Sequence, residues 1–237
     1  MQKEFYKSDT RGVAEHGWLS SRFSFSFAEY FDQERMGFGA LRVLNDDKID
    51  AGRGFGMHPH KDMEIITIPL EGQLMHKDSM GNEIIIKKCD VQVMSAGTGV
   101  THSEMNPSNE DSAALLQIWI TTRKNGISPA HDHATFDEKD QMGKFDVLVK
   151  PDTKSGEGLS IHQDAYISRG RFESGQSVTY NMHEKGNGAY VFMIDGTVTI
   201  DGQQLQSRDA VGISHADSFV ITIEKPADVL VIEVPMR

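Results

Sequence analysis

The feature that most limits how this chain can fold is an internal repeat built from short β-strands. Residues 70–96 read as four strands separated by three turns, and residues 194–214 follow the same order. Gly72 corresponds to Gly196, and the first copy has the longer central hairpin. Two copies of one β-unit in a chain of 237 residues predict two similar barrels in tandem.

The remainder of the sequence also favours strands. Short runs rich in β-branched residues, such as residues 63–72 and 228–235, alternate with Gly, Asp and Asn, and no long apolar pattern has the period of a helix. Hairpin turns are expected at residues 78–82 and at Asp201-Gly202. The sequence therefore predicts an all-β fold of the sandwich or barrel type.

The domain boundaries follow from the repeat and from a polar stretch between its copies. We expect an N-terminal barrel over residues 1–125 and a C-terminal barrel over residues 141–237. The segment between them, residues 126–140, contains Gly126 and Pro129 and is predicted to be a linker.

Composition excludes several classes of partner. With 24 basic and 35 acidic residues the net charge is −11, which disfavours direct binding of nucleic acid but leaves a protein partner possible. No apolar run reaches the ~18 residues of a membrane helix, and the polar first residues do not resemble a signal peptide. The single cysteine, Cys89, cannot form an intrachain disulfide, so we expect a cytoplasmic protein.

Two short segments of the first copy carry residues suited to metal binding. His58 and His60 are two residues apart, as are His102 and Glu104. Side chains two apart on a strand share a face, so two such strands facing each other would bring three imidazoles and a carboxylate together. Nitrogen and oxygen ligands suit divalent Fe, Ni, Cu, Co, Mn or Zn. From spacing alone, Glu64 remains an alternative carboxylate ligand.

The second copy serves as an internal comparison. The positions that correspond to His58, His60 and His102 are occupied by Met182, Glu184 and Ile221. His183 and His215 lie nearby but out of phase with those positions. We therefore predict that the C-terminal barrel is structural and binds no metal.

The two histidine segments resemble the motifs of the cupin superfamily. The first motif is matched by Gly52, His58, His60, Glu64 and Gly72, with one residue more than usual before the last glycine. The second is matched by Gly97, His102 and Asn106, although Ala96-Gly97 replaces the usual turn with proline.

That departure, the HPHKDMEI run and the His102-Ser103-Glu104 arrangement are similar to pirins. Residues 15–32 and 37–56 also look like bacterial pirin-like quercetin 2,3-dioxygenases. The resemblance covers residues 10–237 and is weaker in the C-terminal half.

This resemblance implies a fold, a metal site and an activity. Pirins are bicupins with one metal, usually iron, in the N-terminal barrel, and the matching ligands are His58, His60, His102 and Glu104. Glu64 is then expected to support a ligating imidazole or a neighbouring backbone group. The implied reaction is cleavage of a flavonol such as quercetin by O2 with release of CO, in which Glu104 is the catalytic base.

Two other functions remain open at this stage. One is a redox-responsive, metal-binding regulatory protein without significant turnover, and the other is a different cupin reaction on a small acid. For the flavonol reading, the apolar walls of a substrate pocket are assigned to Phe55, Met57, Met94, Gln117 and Trp119. The aromatic residues of the opening segment are expected to be core or domain interface instead: Trp18, Phe23, Phe25, Phe27, Tyr30 and Phe31.

Overall fold

The structure, a computed structural model, describes residues 1–236 and confirms the all-β prediction. Within that range the only helices are two 3-10 turns, Ser8–Thr10 and Glu138–Gln141. None of the helices described is long and apolar enough to cross a membrane. The strands before residue 125 are β1 Gln2–Tyr6, β2 Gly12–Glu15, β3 Leu19–Phe23, β4 Leu41–Ile49, β5 Gly54–His60, β6 Met63–Glu71, β7 Gln73–Asp78, β8 Glu83–Lys87, β9 Asp90–Ser95, β10 Val100–Met105 and β11 Ala113–Thr121. The later strands are β12 Ala130–Thr135, β13 Phe145–Pro151, β14 Leu159–Ile161, β15 Tyr166–Phe172, β16 Ser177–Asn181, β17 Asn187–Ile200, β18 Gln203–Gln206, β19 Ala210–Ser214 and β20 Ser218–Pro235.

Two sheets form the N-terminal barrel. The larger has the strand order β12-β9-β6-β11-β4-β3-β2, and the smaller has the order β5-β10-β7-β8. Side chains alternate between the faces of a strand, so on β6 Thr67 points into the barrel while Ile66 and Ile68 point out of it. The barrel interior therefore receives residues from both sheets.

The C-terminal barrel is built from one nine-stranded sheet. Its main path is β1-β19-β17-β20-β15-β13-β14, with β16 beside β20 and β18 beside β17. A large cluster of buried apolar side chains, including Val198, Ile221 and Ile223, belongs to this barrel alone.

The repeat seen in the sequence is reproduced in the turns. Cys89 and Arg208 occupy equivalent positions and both have a left-handed backbone, with φ of 77° and 71°. The aspartate that follows each of them, Asp90 or Asp209, accepts a hydrogen bond from the backbone N–H three residues earlier. The two barrels thus share a turn as well as a strand order.

Each barrel has an edge strand that lies outside its predicted residue range. Strand β1 pairs with β19 of the C-terminal barrel, and β12 pairs with β9 of the N-terminal barrel. Both edge strands are joined to the repeated aspartate, since Ser8 N–H donates to Asp209 and Thr135 Oγ1 donates to Asp90. These pairings differ from the predicted division, because residues 2–6 lie in the C-terminal sheet and residues 130–135 form a strand within the predicted linker.

An apolar core joins the two barrels. The outward face of β6 packs into the same cluster of buried side chains as β15, β17 and β20. Phe25, Phe38 and Tyr190 are among its aromatic members, and Tyr190 contacts both of the others. Because the outer face of the large N-terminal sheet is covered in this way, polar chemistry in that barrel is confined to its interior.

Candidate metal centre

The register of β10 explains why the predicted ligands meet. On one side His102 pairs with His58 and Glu104 pairs with Phe55, with a β-bulge between the two pairs. On the other side, in β7, His102 pairs with Asp78 and Glu104 with His76. Directly paired residues of antiparallel strands project from the same face. The three strands therefore direct one row of polar side chains into the barrel.

The three predicted histidines converge. The ring centroids of His58 and His102 are 4.4 Å apart, and His60 lies 4.8 Å from each of them. One ring nitrogen from each residue lies within 4.8 Å of the others. The His58 Nδ1–H donates to Gly56 O at 2.8 Å, which leaves its Nε2 free to bind a metal.

Buried nitrogens without partners test whether a cation fits. The Nε2 atoms of His60 and His102 are both buried and have no hydrogen-bond partner. Buried polar atoms almost always have a hydrogen-bond partner, so two neighbouring imidazole nitrogens without one indicate a site for a bound cation. Three imidazole nitrogens suit a borderline divalent metal, and the residues present fit one.

Burial keeps the imidazoles of His60 and His102 uncharged at neutral pH. Burial lowers the pKa of His60 to about 4, with a further contribution from His58. Burial also lowers the pKa of His102, and the neighbouring histidines add to the effect. A neutral imidazole has a lone pair to donate, so both side chains are ready to bind a cation without first losing a proton.

Glu104 lies beside this cluster. Its carboxylate accepts hydrogen bonds from Gln117 Nε2 at 2.8 Å and from Thr67 Oγ1 at 3.2 Å. One of its carboxylate oxygens lies within 4.8 Å of nitrogens of His76 and His102, so His102 belongs to both groups. Burial raises the pKa of Glu104, while the hydrogen bond from Gln117 opposes that shift. The four predicted residues are contiguous, and their assignment as the ligand set stays a prediction.

Glu64 lies away from the imidazole cluster. It is on the outward face of β6, two residues from Ile66 and out of phase with Thr67. Its side chain accepts a hydrogen bond from Ser95 Oγ at 2.6 Å. The expected support of a ligating imidazole is therefore not seen, because the side-chain period of two places Glu64 on the other face of the sheet. The other expectation, support of a neighbouring backbone group, agrees with the backbone hydrogen bond at His162, which opposes the rise in the pKa of Glu64.

Sequence reasoning missed a buried histidine beside the three predicted ones. His76 is fully buried and contacts Asp78, Gln92 and His102 through its ring nitrogens. The ring of His131, from the edge strand β12, stacks on it at 4.8 Å. The signal available was the alternation of Leu74, His76 and Asp78 ahead of the predicted turn at residues 78–82.

A cleft of about 1300 Å³ reaches the centre from the surface. Of the predicted walls, Phe55, Gln117 and Trp119 line it. Met57 is 60 % exposed and points elsewhere, and Met94 is packed in a small apolar cluster of the barrel.

The opening aromatic segment also lines this cleft, and only part of it is core. Four of its residues line the cleft: Trp18, Phe23, Phe27 and Tyr30. Phe25 lies in the core between the barrels, as expected, whereas Phe31 is exposed. The side chains of this aromatic run point in different directions. Because the run is distant in sequence from the histidines, the sequence did not indicate that part of it lines the cleft.

A second carboxyl group is found in the cleft. Asp47, on β4, is 5 % exposed and accepts a hydrogen bond from Ser21 Oγ. Burial raises the pKa of Asp47 to about 7, and the charge of Glu104 adds to the shift. Asn45 lies next along the same face, and its Oδ1 has no partner. The cleft therefore combines aromatic walls with a polar end that includes an acid close to neutrality.

The C-terminal barrel has a different interior. Ile221, at the position equivalent to His102, is fully buried in that barrel's apolar cluster. His183 is exposed and stacks on Tyr166, with ring centroids 4.2 Å apart, and His215 is an exposed turn residue with φ of 55°. Among residues 1–236, each of the two clusters that could hold a metal lies in the N-terminal barrel. The metal-free state of the C-terminal barrel stays a prediction.

Two tandem β-barrels with a histidine-rich centre in the first define a bicupin. The model of the Pirin family matches residues 6–120, and that of the quercetinase C-terminal cupin domain matches residues 147–234. The chain is 43 % identical over 230 residues to a quercetin 2,3-dioxygenase of Escherichia coli, covering 97 % of both chains. It is 37 % identical to a pirin-like protein of Caulobacter vibrioides, covering 95 % of this chain and 96 % of the relative. The chain belongs to the pirin family.

Solved structures agree with this assignment. The crystal structure of YhhW from Escherichia coli superposes with a TM-score of 0.94 at 39 % identity, covering 100 % of this chain and 99 % of the other. A structure of the bacterial pirin YhhW in complex with nickel(II) gives a TM-score of 0.93 at 38 % identity, with full coverage of both chains. These comparisons confirm the predicted family and the two-barrel fold.

Proposed function

We propose that this protein is a metal-dependent dioxygenase that cleaves flavonols such as quercetin with O2 and releases CO. The observation that carries the proposal is the convergence of the imidazoles of His58, His60 and His102, with the buried carboxylate of Glu104 near His102, at the end of an aromatic cleft. The names of the relatives support the same reaction class, and the nickel complex of YhhW supports metal binding by a protein of this family.

We assign the metal to His58, His60, His102 and Glu104, with iron as the first expectation and nickel, copper, cobalt, manganese or zinc as alternatives. When bound, the cation would supply Lewis-acid polarisation and a template for substrate and O2. The unpartnered Nε2 atoms of His60 and His102 support this assignment.

The role of Glu104 follows from its environment. Burial raises the pKa of its carboxyl group, which increases its affinity for a proton. It is suited to accept the proton of the flavonol 3-hydroxyl, and the hydrogen bonds from Gln117 and Thr67 hold the carboxylate in place for that transfer. The same carboxylate can then return the proton to the product.

The cleft is suited to a flat, partly polar ligand. Trp18, Phe27 and Trp119 offer aromatic surface for planar rings, since offset and edge-to-face contacts are both favourable. At the polar end, Asp47 and Asn45 can form hydrogen bonds with hydroxyl groups of the substrate. The aromatic surface excludes water around the substrate, which strengthens polar interactions at the centre.

Turnover provides the test. Protein loaded separately with each candidate metal is incubated with quercetin in air and under anaerobic conditions, and loss of flavonol absorbance and release of CO are followed. We expect O2-dependent turnover and a decrease in kcat/KM of about 10²–10⁴-fold for Glu104→Gln. His183→Ala, in the C-terminal barrel, serves as the control and should retain activity.

Absence of turnover with every candidate metal would overturn the dioxygenase proposal. If metal binding persisted in that case, the chain would fit the redox-responsive regulatory role considered above. We also propose a cytoplasmic location, in line with the single cysteine.

A further inference from the structure

The starting point is a buried carboxylate at the end of β7. The side chain of Asp78 is fully buried and accepts four hydrogen bonds. Its Oδ1 receives the backbone N–H groups of Met80 and Asn82 at 2.8 and 3.0 Å. Its Oδ2 receives Asn82 Nδ2 at 2.8 Å and lies 3.1 Å from His76 Nε2. Three of these contacts come from N–H donors, which is the environment of an ionised carboxylate, and a carboxylate can only accept, so we assign His76 Nε2 as the donor.

The second ring nitrogen of His76 is thereby fixed as an acceptor. A neutral imidazole has one N–H, so Nδ1 of His76 carries a lone pair. Two groups approach that lone pair, Gln92 Nε2 at 3.4 Å and His102 Nδ1 at 3.4 Å. In the orientation that places its amide nitrogen here, Gln92 donates to this lone pair, which is compatible with the tautomer that Asp78 requires.

The same logic then reaches His102. Its Nδ1 faces an acceptor and therefore carries the hydrogen. Its Nε2 is left with the lone pair, and this is the buried atom that has no partner. The ring of His102 lies beside that of His58, with ring centroids 4.4 Å apart.

We infer that Asp78 and His76 are positioning residues, which lock His102 in the tautomer and ring orientation that present Nε2 to the metal. This rests on the part of the proposed function that makes His102 a ligand, and it is independent of the substrate and of turnover. The chain from Asp78 through His76 to His102 has one more imidazole than the usual carboxylate–histidine–metal arrangement. It also gives β7, which provides none of the four proposed ligands, a direct influence on the centre.

The first experiment needs no variant. Long-range ¹H–¹⁵N correlation spectra of the metal-free, ¹⁵N-histidine-labelled protein report which ring nitrogen carries the hydrogen. We expect His76 to be protonated at Nε2 and His102 at Nδ1. The opposite tautomer at His102, or rapid exchange between both tautomers, would overturn the inference.

The second experiment reverses the chain of hydrogen bonds. In Asp78→Asn the amide can donate to His76 Nε2, which moves the hydrogen of His76 to Nδ1 and that of His102 to Nε2. We expect the spectrum to show this change and the Kd for nickel(II), measured by chelator competition, to rise about 10–100-fold. Asp201→Asn, in the corresponding hairpin turn of the C-terminal barrel, is the matched control and should leave the Kd unchanged.

The outcomes separate the inference from the proposed function. If the unmodified protein bound no nickel, the proposed metal centre would be wrong, whatever the spectra show. If the unmodified protein bound nickel and Asp78→Asn bound it equally well with the same His102 tautomer, the positioning role would be wrong. If Asp78→Asn fails to fold, as judged by loss of its cooperative thermal transition, the spectra of the unmodified protein alone decide.

Discussion

Replacement of Asp47 by Asn is expected to change how the stability of the metal-free protein depends on pH. Asp47 is 5 % exposed, and burial raises its pKa from 3.8 to about 7. In the unfolded chain this carboxyl group ionises near pH 4, whereas in the folded protein it keeps its proton up to about pH 7. Between these values the folded state binds more protons, so rising pH removes stability.

The size of the effect follows from the shift. About three pKa units at 1.36 kcal/mol each correspond to about 4 kcal/mol, lost progressively between about pH 4 and pH 7 and constant above that. Asp47→Asn cannot ionise, so it avoids this loss. We expect the difference in unfolding free energy between the variant and the parent to move by about 4 kcal/mol in favour of the variant from pH 4 to pH 8.

Urea denaturation at half-unit pH steps in the presence of a chelator measures this difference. All other titrating groups are common to both proteins, so they cancel in the comparison when they act independently. Asp217→Asn, at an exposed position, controls for loss of an acidic group as such. A difference between Asp47→Asn and the parent that stayed constant over this range would refute the argument that burial governs the ionisation of Asp47.

Three further predictions concern the centre and the exchanged strands. His102→Ala should lower the metal bound after purification severalfold by elemental analysis while His183→Ala leaves it unchanged, and equal losses would contradict a single site. Asp209→Ala should lower the unfolding free energy by about 1–3 kcal/mol in urea titrations, because the half-buried Ser8 N–H and the Gln206 N–H lose a buried acceptor. A decrease below about 0.5 kcal/mol would show that this contact does not hold β1. Gly97→Ala should lower the unfolding free energy by about 2 kcal/mol or more in the same assay, since Gly97 has φ of 47° and an added Cβ would lie 2.2 Å from Ile127 O. Unchanged stability would mean that the turn relaxes freely.

Local patterns in the sequence predicted much of the fold. The β-strand runs, the hairpin turns and the repeat depend on residues close together in the chain, and the structure reproduces them. The exchange of β1 and β12 was missed because strand pairing between distant segments leaves no local signal. Residues 2–6 alone give no indication that their partner is β19.

The candidate site was predicted in the same uneven way. His58, His60, His102 and Glu104 come from pairs spaced two apart, and a strand period of two is enough to put each pair on one face. His76 and Asp78 are also two apart, but this pair lies outside both histidine motifs, and its place at the centre depends on the register of β7 against β10. Glu64 is the opposite case: it is close in sequence to His60 and was expected near the ligands, but it lies on the opposite face of the sheet.

Each barrel needs a strand from outside its own predicted range, β1 for the C-terminal barrel and β12 for the N-terminal one, to complete its sheet. A fragment cut between the barrels would expose an unpaired edge on β9 or β19, and such edges invite aggregation. A barrel that had no chemistry of its own would therefore still be required for its neighbour to fold, which gives selection a physical reason to retain both copies after duplication.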